Sequence, residues 1–118
     1  MSESERQEVK AKLIELGYWG ADEPGDPTTD RHALGELRKR MARRIAPGFS
    51  LRAELVHERS MKSVVRIVGS GIDHAFTAGA DAVLAICRAA LELPEFLKQH
   101  PECVRGAADE FPSELDIG

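Results

Sequence analysis

The stretch FSLRAELVHERSMKSVVRIVGSGIDHAFTAGADAVLAICRAALEL, residues 49–93, decides the fold, because extended segments in it are followed by one amphipathic helix. From Phe49 apolar residues alternate with polar ones, which is the period of a strand with one buried face. The polar run 57–60 predicts a turn, and the β-branched run 61–68 predicts a second strand. Glycines in the segment 69–71 indicate another turn before a third short strand over 72–76. We therefore predict a three-stranded antiparallel meander.

The helix after the meander carries one apolar stripe, because its apolar residues recur at three- and four-residue spacing. Pro94 is expected to end this helix, with a short separate helix over 94–99. The predicted core combines the inner faces of the strands with this stripe: Phe49, Leu51, Leu55, Val65, Ile67, Val83, Ile86, Cys87, Ala90 and Leu91.

Two helices are predicted before the meander. The first covers 2–16, where Ser2 and Glu5 have the spacing of a capping box. The second covers 30–46, with Leu34, Leu37, Met41 and Ile45 forming its buried stripe. Between the helices lies a loop rich in proline, glycine and acidic residues. Tyr18 and Trp19, which begin this loop region, allow two interpretations: a hydrophobic plug on the core, or a contact for a partner, since aromatics are enriched at binding hot spots.

The 118 residues are consistent with one domain and a single core. We predict an α+β fold with the order α-α-β-β-β-α-α, arranged as a two-layer sandwich. Its N-terminal helical part covers 1–46, the meander and its helix cover 47–93, and a short helix with an acidic tail covers 94–118. An uncovered strand edge often pairs with another chain, so we also expect a homodimer.

The charge of the chain is unevenly distributed. The formal net charge is −4, but residues 31–52 alone carry a net +6 between two segments, 1–30 and 92–118, of −5 each. Five cations of the second helix account for most of the basic block: Arg38, Lys39, Arg40, Arg43 and Arg44. They could form a solvated face that compensates the helix dipole. The alternative is an anion-binding surface for nucleic acid or for an acidic protein.

The run HAFTAGADAVLAICRAALEL, residues 74–93, resembles a small phage-encoded domain family of unknown function known as the ABA sandwich. Members of that family typically end in a strand, a short loop and a helix similar to LAICRAAL, here Leu84 to Leu91. Together with the hairpin before this run, the resemblance covers residues 49–93, about 45 of the 118 residues. It implies a phage or prophage origin and an α/β sandwich, and it implies no activity.

The chain shows no motif for catalysis, metal binding or cofactor binding. The four histidines share no ligand spacing, and Gly69-Ser70-Gly71 belongs to neither a nucleophile elbow nor a phosphate loop. The acids of the loop 20–29 lack calcium-loop spacing. Two cysteines do not make a disulfide framework, and the chain has no apolar run long enough for a membrane span. We therefore expect a protein without cofactors in the cytoplasm, which for a phage protein is the host cytoplasm.

The order helix, three strands, helix over 30–93 is also that of a double-stranded-RNA-binding domain. That family grips phosphates with lysines at the start of its last helix, where residues 77–81 here read TAGAD, so we discount it. The predicted function is that of a small non-enzymatic phage or prophage protein that binds a host or phage macromolecule, with inhibition of a bacterial defence system (anti-CRISPR-like) as its sharpest form. The alternatives are a nucleic-acid-binding accessory protein that uses the basic helix 38–44 and a structural or assembly homo-oligomer.

Overall fold

The chain folds into two helices, a three-stranded antiparallel sheet and a third, longer helix. The structure is a computed structural model, and it describes residues 2–57 and 61–105. Its elements are α1 (Glu3–Glu15), α2 (Arg31–Ala42), β1 (Ser50–His57), β2 (Met61–Gly69), β3 (Ile72–Ala75), α3 (Ala82–Gln99) and a 3₁₀ turn (Pro101–Cys103). The α+β class predicted from the sequence is confirmed. The acidic tail, residues 106–118, lies outside the described residues.

The meander is confirmed, with strand order β1-β2-β3. In the register of the sheet, Ala53 of β1 lies opposite Val65 of β2. The β2–β3 turn has positive φ at both central residues, Ser70 (46°) and Gly71 (85°), as a tight two-residue hairpin requires. Gly69 before it has no room for a side chain, because a Cβ there would lie 2.2 Å from the Gly48 carbonyl oxygen.

Helix α3 is one continuous helix, so the predicted break at Pro94 and the separate helix over 94–99 are wrong. Asp81 caps its start by accepting a hydrogen bond from the Leu84 N–H at 2.9 Å. A proline inside a helix removes one backbone hydrogen bond. Here buried residues continue on both sides of it, Leu93 before and Phe96 and Leu97 after. Burial of this extended stripe offsets the lost hydrogen bond, so the helix continues to Gln99.

The first two helices begin where the sequence indicates. The Ser2 hydroxyl accepts a hydrogen bond from the Glu5 N–H, and Asp30 caps α2. Helix α2 ends at Ala42, four residues before the predicted end at Ala46. The reason is that Ile45 forms a β-bridge with Val104. The backbone after α2 therefore pairs with the segment that follows the 3₁₀ turn: the Ala46 N–H donates to the Cys103 carbonyl oxygen at 2.8 Å, and the Arg105 N–H donates to the Arg44 carbonyl oxygen at 3.0 Å.

The hydrophobic core contains residues of all three helices and of the sheet, and α3 contacts β2, α1 and α2. Of the ten predicted core residues, five are buried: Val65, Ile67, Ile86, Cys87 and Ala90. Four more are partly buried and pack against the core: Phe49, Leu51, Val83 and Leu91.

Leu55 is the one predicted core residue that the structure contradicts, because it is 61% exposed. It lines an open gap of about 300 Å³ between β1 and the start of α3. The helix residues across this gap include Ala82 and Ala85, whose side chains are too short to cover a leucine. The inner face of β1 is therefore only partly covered.

Candidate functional site: the basic face of helix α2

Helix α2 is oriented by its buried stripe. Asp30 fixes the first turn, since its carboxylate accepts the N–H of His32 at 2.9 Å. Ala33, Leu34, Leu37 and Met41 then point into the core. At 100° per residue, this stripe places Lys39 and Arg43 on the opposite side of the helix, while the other three cations of residues 38–44 lie nearer its borders.

The guanidinium group of Arg40 makes all of its recorded contacts with residues of the fold itself. Its guanidinium lies 4.4 Å from the centre of the Trp19 ring, in the geometry of a cation–π interaction. Its Nη1 donates hydrogen bonds of 2.8 Å to the Tyr18 carbonyl oxygen and to Glu23 Oε1, and its Nε donates to Glu36 Oε2 at 3.1 Å. The hydrogen bonds from Arg40, and then that from the Gly20 N–H, lower the pKa of Glu23 to about 2. Arg40 therefore anchors the loop after α1 to α2.

Arg44 has the same role one turn further on. Its guanidinium lies 3.8 Å from the centre of the Tyr18 ring, and its Nη2 donates to the Leu16 carbonyl oxygen at 2.9 Å. Burial raises the pKa of Tyr18 to about 12, and the positive charge of Arg44 opposes part of that rise. The two arginines together hold the end of α1 against α2.

Tyr18 and Trp19 are only 1% and 5% exposed. Of the two interpretations of this pair, the structure supports the hydrophobic plug, because buried rings offer no surface to a partner. We therefore leave Tyr18, Trp19, Arg40 and Arg44 out of the candidate site. The i, i+4 spacing of the two arginines was the available signal in the sequence that both lie on the same side, next to the buried stripe.

The remaining three cations, Arg38, Lys39 and Arg43, are exposed. We call them the basic face. Arg43 Nη1 lies 3.8 Å from Oε2 of the half-buried Glu36, and an ion pair with one exposed partner at this distance is a weak interaction. Within the described part of the chain, Arg38 and Lys39 make no ion pair, so their charge is available to another molecule.

An apolar groove of about 520 Å³ lies beside the basic face. Its walls are α2 and the start of β1, and its lining includes Arg38, Lys39, Phe49 and Leu51. Gly35 and Ala42 line its helix side, and these small residues leave the groove open. The groove and the gap under Leu55 both follow the inner face of β1.

The described residues contain no group of three or more His, Cys, Asp or Glu side chains that could hold a metal ion. Burial, and then the negative charges of Asp26 and Asp81, raise the pKa of Cys87 to about 12. Its thiol is therefore protonated at neutral pH and unsuited to act as a nucleophile. The exposed features of this surface are the cations Arg38 and Lys39 and the apolar groove beside them.

Comparisons of the chain with protein-family models, with curated proteins and with solved structures found no match. In residues 2–57 and 61–105, none of the helices has the length and apolar character that a membrane crossing requires.

Proposed function

We propose that the protein is a small non-enzymatic binding protein, and that its basic face contacts an acidic surface of a protein partner. The observation that carries this proposal is the division of the five cations of residues 38–44, which lie in the last turns of α2 and directly after it. Arg40 and Arg44 donate hydrogen bonds to backbone carbonyl groups within the fold. Arg38 and Lys39 are exposed and make no ion pair within the described residues. Exposed charges of one sign steer a partner of the opposite sign and select against partners of the same sign.

A protein partner suits this surface better than nucleic acid does. Three exposed cations correspond to about three phosphate contacts, and each contact supplies only part of the electrostatic attraction on which sequence-independent binding to a duplex depends. The chain as a whole is acidic, with a net charge of −4, which opposes the approach of a long polyanion.

The resemblance of residues 84–91 to the phage-encoded family supports a more specific form of the proposal. In this form the protein is encoded by a phage or prophage, has the family's two-layer sandwich arrangement, and binds a host or phage macromolecule in the host cytoplasm. Inhibition of a bacterial defence system is the sharpest version.

The experiment is affinity capture from bacterial lysate with three forms of the protein in parallel. These are the wild type, Lys39→Glu/Arg43→Glu, and the control Lys62→Glu/Lys98→Glu, which reverses two exposed cations away from α2. We expect a partner that is retained by the wild type and the control and lost by the α2 variant. A partner retained equally by all three forms would refute the role of the basic face. Circular dichroism confirms that each variant is folded.

Nucleic-acid binding is the second candidate function, because the same unpaired charges of Arg38 and Lys39 could contact a phosphate backbone. This alternative predicts a steep salt dependence, since each phosphate contact releases condensed counterions. With three contacts, the logarithm of the binding constant would fall with the logarithm of salt concentration at a slope of about −3.

A further inference from the structure

We propose that a second copy of this chain pairs with the free edge of β1, antiparallel and about a two-fold axis at Ala53. This inference goes beyond the proposed function, because it concerns the sheet edge and holds for either kind of partner. Within the described residues, β1 pairs only with β2. The opposite edge of its eight residues therefore presents unpaired backbone groups, the usual template for adding a strand.

The charged side chains of β1 in one copy match those of β1 in a second copy. In an antiparallel pair centred on Ala53, Arg52 of each copy lies opposite Glu54 of the other, on the same face of the sheet. Arg52 makes no ion pair with any described residue. Glu54 accepts a hydrogen bond from Arg66 at 3.2 Å, and Arg66 also holds Asp73 at 2.8 Å, so Arg66 keeps a partner if Glu54 turns towards the second copy.

Neighbouring registers are disfavoured by the same charges. A two-fold axis at Arg52 places two arginines opposite each other, and an axis at Glu54 does the same with two glutamates. Like charges directly opposite destabilise a strand pair. Charged residues commonly protect a strand edge from pairing, but opposite charges placed symmetrically about Ala53 instead select one register.

The apolar face is complementary in the same register. Leu55 of one copy lies opposite Leu51 of the other, on the inner face. Leu55 is 61% exposed in the single chain, and the groove of about 520 Å³ lies beside Leu51. Opposite residues in an antiparallel pair have Cβ atoms about 4.5–5.5 Å apart, which places the leucine of the second copy at that groove. The two-fold axis repeats this contact, as in any isologous interface.

The most specific test uses a cysteine on the axis. Under mild oxidation, the cysteine of Ala53→Cys should form a disulfide with the same cysteine of the second copy. The two residues 53 lie opposite each other, at about the distance that a disulfide spans. In Ser50→Cys the two thiols would lie about 20 Å apart along the strands, so this variant is the matched control. The native Cys87 and Cys103 are buried and should contribute no cross-link. We expect Ala53→Cys to give a covalent dimer at least tenfold faster than Ser50→Cys, and equal rates would overturn the proposal.

A charge swap tests the pairing without a cross-link, by sedimentation equilibrium. Arg52→Glu places two pairs of like charges across the axis and should weaken the dimer about tenfold or more. Arg52→Glu/Glu54→Arg restores opposite charges and should return the dissociation constant to within about threefold of wild type. A wild-type mass of 13.0 kDa at every concentration up to the millimolar range would overturn the proposal. So would a folded double variant that stays as weak as Arg52→Glu.

Discussion

The stability costs of truncating two leucines, one in the core and one on the open face of β1, test the assignment of these two surroundings. Leu93 on α3 is completely buried, whereas Leu55 on β1 is 61% exposed. Both belong to apolar patterns in the sequence, so their different surroundings in the fold decide the outcome. We expect Leu93→Ala to destabilise the chain strongly and Leu55→Ala to destabilise it little.

The magnitudes follow from burial. Changing leucine to alanine removes three carbon atoms, and at about 0.8 kcal/mol for each buried carbon this costs about 2.4 kcal/mol. At a rigid, fully buried position the cavity left behind raises the cost to about 3–5 kcal/mol. Leu55 has only the covered part of its surface to lose, so Leu55→Ala should cost about 1 kcal/mol or less.

Urea denaturation followed by circular dichroism measures both values as changes in the free energy of unfolding. The measurement is best made in the Arg52→Glu background at low micromolar concentration, because the weakened dimer of this variant should then contribute little to the measured free energies. If the two variants lose free energies of unfolding within about 1 kcal/mol of each other, the assignment of Leu93 to the core and of Leu55 to an open face is refuted.

Three further outcomes are expected. Gly35→Ala should raise the free energy of unfolding in urea by about 0.5–1 kcal/mol, since a Cβ there meets nothing within 4 Å; a loss of stability would contradict the open space. Arg40→Ala should uncover Trp19, the only tryptophan, and shift its fluorescence to longer wavelength, whereas Arg43→Ala should leave the emission unchanged; equal spectra for both variants would contradict the cation–π contact. Glu23 has a pKa of about 2 against an ordinary 4.5, so its contribution to stability is complete above about pH 4.5 and is lost as the pH falls towards 2. The stability difference between wild type and Glu23→Gln should shrink over that range, and a difference independent of pH would contradict it.

Local patterns predicted most of the fold. The alternation in β1, the β-branched residues of β2 and the glycines of the 69–71 turn each determine local backbone geometry, so the meander follows from neighbours in sequence. Pro94 shows where such reasoning stops. Its local preference ends a helix, but the residues that offset the lost hydrogen bond, Leu93 and Phe96, do so through contacts with distant parts of the chain. Leu55 shows the same limit, because alternation identifies the face of a strand and cannot tell whether a helix covers it.

The candidate site was predictable in part. The helical period places Lys39 and Arg43 opposite the buried stripe, and both are exposed in the structure. The period does not show that Arg40 and Arg44 lie over Trp19 and Tyr18. Those contacts depend on how the chain after α1 folds back onto α2, which joins residues more than twenty positions apart.

The measurement that tests the central claim most directly is fluorescence anisotropy of a labelled nucleic-acid duplex at about 150 mM salt, a concentration that screens charges separated by more than about 8 Å. The wild type and Lys39→Glu/Arg43→Glu are titrated side by side. If the basic face serves an acidic protein, neither form should bind duplex DNA or RNA in the micromolar range, while the charge reversal still abolishes capture of the partner. Wild-type binding at micromolar or tighter affinity, weakening steeply with salt and lost in the variant, would contradict the claim and identify the basic face as a nucleic-acid interface.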